Sequence, residues 1–441
     1  MLSPENNRLL TEVGPGTPMG DLMRQYWVPA LLSSEIRGED ADPVRVRLLG
    51  EDLIAFRDSS GRVGILPENC PHRGASLYLG RCEGNGIRCV YHGWKFDVAG
   101  ACVDMPNEPR GSDFARKIRA NAYRCVEAGG VVWTYMGPRD AAPPLPDFEQ
   151  FDTPADKQSS WALQRECNWL QAIEGDLDTS HFGFLHTGHA RPEDAPPETF
   201  LRYAIADRAP KYKLRDTRFG VTFGAYRPTE SLDELYWRIG HFLFPFFTMV
   251  PTGVLGIPGP VRAWVPMDDS HTLFFQFGYR SELAPAEQEL GITERENETV
   301  KLLPRASGSY GRFRLRQNLE NDYFMDRAKK RRGDSFTGID GITVEDQAIT
   351  ESMGPVYDRT REHLGSADVV VIRARRRLAA AARALRESGS TPPGVDDPGS
   401  YAQRSGGVVL PVDSDWIEGT EHLRKTGVEH VGLDRSRSAG A

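Results

Sequence analysis

The sequence predicts an α+β protein of two domains, an all-β unit followed by a larger unit that mixes strands with helices. Three observations carry that prediction: short alternating strands from Val44 to Met136, a Pro- and Asp-rich stretch behind them, and longer strands interleaved with helix-like segments thereafter. At 441 residues the chain is long enough for two or three domains and a large core.

In chain order, residues 1–40 form an N-terminal segment expected to pack on the rest. Within 41–140 the strands VRVRLL, DLIAFRD, RVGILPE, IRCVYH and GGVVWTYM alternate apolar and polar positions between Gly-rich turns, which suits a small antiparallel barrel or sandwich. The run GPRDAAPPLPDFEQFDTPADK, from Gly137 to Lys157, reads as a linker, with 141–157 as its domain-free part. The second domain, 158–441, opens with a helix-like segment from Asn168 to His186. Strands follow in KYKLRDTRFGVTFGAYR, YWRIGHFLFPFFTMV, VRAWVP and HTLFFQFGYR, then an Ala- and Arg-rich helix from Asp368 to Arg386 and a surface loop from Ser388 to Ser400. No internal repeat is visible.

Composition narrows the partners. The net charge of −8 comes without a concentrated basic stripe, which argues against nucleic acid. The longest apolar runs, such as Phe242 to Val250, are too short to cross a bilayer. The N-terminal MLSPENNRLL has no basic region followed by an apolar core, so no secretory signal is read there. Of the six cysteines, Cys82, Cys102, Cys125 and Cys167 show no pairing pattern, and a reducing cytoplasm is expected.

Chemistry concentrates in two loops of the first domain, Cys70-Pro-His72-Arg-Gly74 and Cys89-Val-Tyr-His92-Gly93-Trp94, with sixteen residues between His72 and Cys89. Two thiols and two imidazoles can hold one metal ion or one small cluster. A structural zinc accepts Cys2His2, but usually from a pair of cysteines on one knuckle and a pair of histidines on a helix. Here each loop brings one of each kind, which suits a [2Fe-2S] centre with both thiolates on one iron and both imidazoles on the other. Gly74 and Gly93 would let the backbone pass close to the sulfides.

A second constellation lies in EGDLDTSHFGFLH. His181 and His186 are five residues apart, about 140° around an ideal helix, so they share a site only if the helix breaks or bulges; Gly183 stands where that could happen. Two imidazoles and one carboxylate with open positions make the facial triad of non-heme Fe(II), a platform for activating oxygen.

CPHRG with CVYHGWKFD resembles the Rieske motif of ring-hydroxylating oxygenases, and Asp178-x2-His181-x4-His186 resembles their mononuclear iron motif. The resemblance extends from LLTEVGPGTPMGDLMRQYWVPA through EAGGVVWTYMGP to ESMGPVYDRTREHLG and is closest to the phthalate dioxygenase type. Respiratory Rieske proteins carry two extra cysteines, at positions that Ala75 and Tyr91 fill here, so their disulfide is ruled out. Within the roughly −150 to +300 mV of imidazole-ligated clusters the resemblance implies the low end. It further implies a second domain whose antiparallel sheet wraps around a long helix, with Asp346 of the distal Asp-Gln-Ala as third iron ligand ahead of Glu345, Asp340 and Glu351. Asp178 would bridge His181 to His92 of the partner subunit in a homotrimer or a dimer of trimers.

The implied activity is that of a terminal oxygenase: one [2Fe-2S] cluster feeds one mononuclear Fe(II), which uses O2 on an aromatic substrate. The chain has no flavin or nicotinamide fingerprint and no plant-type ferredoxin cysteine run, so a separate NAD(P)H-dependent reductase must supply electrons. The leading expectation is cis-dihydroxylation of an aromatic carboxylate of the phthalate type. The alternatives are O-demethylation of a methoxylated aromatic acid and, in another class, electron transfer without oxygenase activity. Phe200, Tyr236, Trp237, Phe242, Phe244, Phe246 and Phe247 are expected to line the pocket, with Arg208 or Arg238 meeting a carboxylate bidentately.

Overall fold

A computed structural model describes residues 1–38, 41–154, 156–279 and 300–426. Two short helices, α1 (Pro4–Thr11) and α2 (Pro18–Met23), open the chain, each begun by a hydroxyl cap and a proline: Ser3 accepts from the Asn6 amide and Thr17 from that of Gly20. Strand β1 (Trp27–Leu32) then enters the first domain and pairs with β10 (Val131–Tyr135), which also pairs with β9 (Arg124–Ala128). A second three-stranded sheet holds β2 (Val44–Leu48), β3 (Glu51–Arg57) and β4 (Val63–Pro67).

The tip of this domain is a four-stranded sheet of β5 (Arg81–Glu83), β6 (Gly86–Arg88), β7 (Lys95–Asp97) and β8 (Cys102–Asp104). It has a core of its own, built on Ile54, Phe56, Leu66, Leu77, Ile87, Trp94 and Phe96, and Cys70 and Cys89 belong to that core.

The second domain is an eight-stranded antiparallel sheet. Its path runs β11 (Gln158–Arg165), β17 (Thr272–Tyr279), β16 (Val261–Pro266), β15 (Phe247–Met249), β14 (Glu234–Leu243), β13 (Gly220–Pro228), β12 (Lys211–Asp216), and β18 (Gly406–Pro411) adds to β14. Helices α3 (Trp169–Leu177), α4 (Phe182–Leu185) and α5 (Phe200–Ala206) follow β11. After the sheet come α6 (Arg327–Arg332), α7 (Ile342–Ser352) and the twenty-residue α8 (Val369–Ser388). The apolar stripe of α8, with Val370, Val371, Ala374, Leu378 and Ala382, faces inward, and the helix packs on β13, α1, α2 and α3. Its end is set by Gly389 in the left-handed conformation at φ 67°. One continuous core joins α1, β1, β10, the large sheet and α8, so the α+β architecture expected from the sequence holds.

Two local expectations change. The Pro- and Asp-rich stretch is pinned: Phe148 is fully buried, with ring centroids 5.4 to 5.7 Å from those of Phe247, Tyr401 and Phe277. The helix expected over 168–186 ends at Asp178, in extended backbone, well before Gly183. Asp178 Oδ1 accepts from both the amide (2.7 Å) and the hydroxyl (2.6 Å) of Ser180, and this local turn competes with helix propagation. Gly183 instead lies inside the short turn α4. Among the described residues no helix is long and apolar enough to cross a membrane.

Candidate active site

The two Cys/His loops are built alike. Cys70 N–H donates to Ala75 O (2.8 Å) and Gly74 N–H to Cys70 O (2.9 Å); Cys89 N–H donates to Trp94 O (2.8 Å) and Gly93 N–H to Cys89 O (3.0 Å). Both glycines sit at positive φ, 74° and 79°, as the reversal after each histidine requires. The turns bring the His72 and His92 rings edge to face at 4.5 Å between centroids, and Trp94 stacks on His72 at 4.2 Å. Cys70 and Cys89 are buried, and burial followed by the neighbouring Cys89 thiol pushes the Cys70 thiol up to about 11.

His92 Nδ1 is buried without a hydrogen-bond partner, an expensive position for an imidazole nitrogen unless it ligates a metal. A tetrahedral zinc would pull all four donor atoms to within about 4 Å of one another. Among the described residues, however, the one set of three His, Cys, Asp or Glu ligand atoms within 4.8 Å lies elsewhere. The wider spread of the quartet fits two irons better than one zinc.

That compact set is His181, His186 and Asp346. His181 precedes α4 and His186 follows it, so the two rings stand at opposite ends of one helical turn and meet edge to face with centroids 5.1 Å apart. Asp346 reaches them from α7, its Oδ1 lying 3.5 Å from His181 Nε2 and 3.1 Å from His186 Nε2. His181 Nδ1 is 2.5 Å from the carbonyl oxygen of Asp178, which can only accept, so Nδ1 carries the proton and Nε2 keeps its lone pair. His186 Nδ1 is 2.7 Å from Glu345 Oε2, which sets the same tautomer. Burial opposes a charge on His186, but Asp346 and Glu345 outweigh it and push the imidazole up to about 9. Asp346 is held down to about 2: burial works against its charge and is overcome chiefly by His186. Once the Nε2 proton of His186 is given up, two imidazole lone pairs and a carboxylate oxygen aimed at one point are the donor set that non-heme Fe(II) takes.

Comparison with known proteins covers both domains. The Rieske [2Fe-2S] domain family matches residues 26–124, and the family described as LigXa C-terminal domain like matches residues 134–437. The 3-chlorobenzoate-3,4-dioxygenase oxygenase subunit of Comamonas testosteroni is 42% identical over 425 residues, covering 94% of this chain and 97% of its own. The chain belongs to the Rieske-type aromatic oxygenases. The phthalate 4,5-dioxygenase oxygenase subunit of Pseudomonas putida is 37% identical, with 85% of each chain covered. The crystal structure of dicamba monooxygenase shares the fold at a TM-score of 0.58 and 17% identity, covering 82% of this chain and 98% of that one. As a Rieske oxygenase the protein carries a [2Fe-2S] cluster and a mononuclear iron and uses O2.

The other residues singled out from the sequence are distributed as follows. Asp178 has Oδ1 committed to Ser180, while Oδ2 stands 3.8 Å from His181 Nδ1; within the chain the close partner of His181 is the Asp178 carbonyl, not its carboxylate. A cleft of about 520 Å³ between α3, α7 and residues 357–364 reaches Asp178, His181 and Asp346. Arg208 donates from one terminal nitrogen to the carbonyl of Gly188 (2.7 Å) and from the other to that of Ala190 (3.0 Å), so it secures the loop after His186. Arg238 is buried under α4 and α5, with its guanidinium 3.8 Å from the Phe200 ring centroid and hydrogen bonds to Pro251 O.

The expected aromatic lining divides. Phe200 and Tyr236 gather near Arg238, whereas Phe242, Phe244, Phe246 and Phe247 are fully buried in the main core and Trp237 stacks on Trp416 in a separate cluster. Alternation along a strand places side chains on one face without saying whether that face meets a pocket or a core.

Proposed function

We propose that this chain is the oxygenase component that cis-dihydroxylates an aromatic carboxylate of the phthalate or chlorobenzoate type. The observation that carries the reading is the 42% identity, over 94% of the chain, with the oxygenase subunit of a 3-chlorobenzoate dioxygenase. In this reading Cys70 and Cys89 hold one cluster iron, His72 and His92 the other, and His181, His186 and Asp346 the mononuclear iron. When bound, the cluster supplies single electrons and the mononuclear iron supplies O2 binding and activation.

The chain's own groups prepare the site. The Asp178 carbonyl and the Glu345 carboxylate keep protons on the Nδ1 atoms, which leaves both Nε2 atoms free to ligate. For each turnover the ring gains two C–O bonds from O2, two electrons arrive from NAD(P)H through the reductase, and two protons complete the diol.

The same reading makes the site intermolecular: Asp178 accepts from His92 of the partner subunit in a ring of three chains. Support comes from Asp178 Oδ2, which has no hydrogen bond of its own among the described residues, and from Ile349 and Met353, apolar residues exposed beside the cleft. A second reading, O-demethylation, is favoured by 39% identity over 247 residues with the 5,5'-dehydrodivanillate O-demethylase oxygenase subunit of Sphingobium sp. (strain NBRC 103272 / SYK-6), 54% of this chain and 55% of that one.

Product analysis separates the two. Holoenzyme, a reductase, NADH and 18O2 are incubated with 3-chlorobenzoate, phthalate and methoxybenzoates. The expected product is a cis-dihydrodiol with both oxygens labelled. A phenol with formaldehyde would establish the second reading, and neither product from any acid would sink both.

A further inference from the structure

The strands β12, β13 and β14 present Tyr212, Arg227, Tyr236 and Arg238 to one face: Arg227 is opposite Tyr236, and Tyr212 and Arg238 are both opposite Ala225. That face is covered by α4 and α5. Tyr203 stacks on Tyr236 at 4.9 Å, Phe200 lies against the Arg238 guanidinium, and Phe182 joins Phe200 (4.7 Å) to the His186 ring (5.4 Å). A continuous row of aromatic rings thus runs from an iron-ligand histidine at one end to two arginines at the other.

Arg227 is anomalous. It is 0% exposed, its Nε donates to Asp207 O at 2.8 Å, and both terminal nitrogens are buried with no hydrogen-bond partner. Among the described residues neither Arg227 nor Arg238 makes an ion pair. The acid whose charge acts on Arg227, Asp207, has its Oδ1 accepting from the Ala209 amide. Burial lowers both guanidinium pKa values, that of Arg238 to about 10. Two buried cations that make no ion pair are costly, and a carboxylate accepting two parallel N–H groups would offset that cost as neutral water would not.

We propose that Arg227, with Arg238 beside it, is the positioning group that grips the carboxylate of the aromatic substrate at the sheet wall and so orients the ring toward His181 and His186. The inference rests on the aromatic-acid reading above. Its test compares the binding of 3-chlorobenzoate and of uncharged 3-chlorobenzamide to the holoenzyme by anaerobic calorimetry, in wild type, Arg227→Met and Arg227→Lys.

Arg227→Met is expected to weaken 3-chlorobenzoate by at least about tenfold and to leave 3-chlorobenzamide within about twofold. Equal loss for both ligands, or loss for neither, would overturn the inference and make Arg227 a packing residue. Should Arg227→Met fail to fold, Arg227→Lys decides, because it keeps the charge but loses the fork: reduced preference for acid over amide supports the grip, and unchanged preference overturns it. A wild type that does not prefer the acid over the amide overturns this inference together with the substrate class. A wild-type preference that both variants retain overturns this inference alone.

Discussion

At His186 the two ring nitrogens meet different carboxylates, Glu345 on the Nδ1 side at 2.7 Å and Asp346 on the Nε2 side at 3.1 Å. From the sequence these adjacent acids on α7 are rivals for one ligand position. Helical geometry explains why both are used: consecutive residues point about 100° apart, so one carboxylate reaches the ligand atoms while its neighbour passes behind the ring. Glu345 is further fixed by the Thr337 hydroxyl, which donates to its Oε1 at 2.5 Å. It therefore acts as an outer partner that orients His186 and raises its basicity. Glu345→Gln, which keeps size and removes charge, is expected to lower iron affinity about tenfold, within the range that losing such a partner costs. Iron retained against a chelator measures this, with the cluster's visible absorbance as an internal control. Full retention would reduce Glu345 to a packing role.

The cluster loops show at the element scale why motif spacing was so informative. Each needs only five consecutive residues to form one reversed turn, so ligand types and turn chemistry stand side by side in the sequence. What spacing does not show is how the loops meet their surroundings. A Cβ on Gly74 would meet nothing within 4 Å, whereas one on Gly93 would lie 2.5 Å from Cγ of Pro106. Both substitutions to Ala carry the cost of a left-handed backbone, roughly 1–2 kcal/mol, but only Gly93→Ala must also move a proline ring. Gly74→Ala is expected to retain most of its cluster and Gly93→Ala to lose most, read as iron and acid-labile sulfide per chain. Equal contents would show that the Pro106 contact is unimportant to assembly. The break at Asp178 was less legible, because an Asp followed two residues later by Ser is compatible with a helix until the Asx turn competes with it. The burial of Phe148 was equally hidden in a Pro-rich stretch whose composition signals only the absence of regular structure.

Across the whole molecule, legibility falls with separation along the chain. The α+β class, the cluster quartet and the pair His181 and His186 could be read from local pattern, but Asp346 is 165 residues beyond His181 and only family resemblance pointed to it. Arg227 had no local signal: it is one arginine in an alternating strand, and its isolation depends on β14, α4 and α5 closing over it. Least legible is the assembly, which the site itself makes testable. If electrons pass from a cluster to the iron of the same chain, a subunit lacking either centre is dead in any company. If they pass to Asp178 and His181 of the next chain, a cluster-deficient subunit (Cys70→Ser) and an iron-deficient one (His181→Ala) complement each other. In a trimer that holds both subunit types an iron site works only in an iron-competent chain that follows a cluster-competent one, so about a third of its sites should turn over. Co-expression with two affinity tags isolates the mixed assemblies, and oxygen consumption coupled to product formation reads them. The His181→Ala subunit alone should keep its cluster spectrum without turnover. Mixed assemblies as inactive as either variant alone would place the electron path within one chain and remove Asp178 as the bridge.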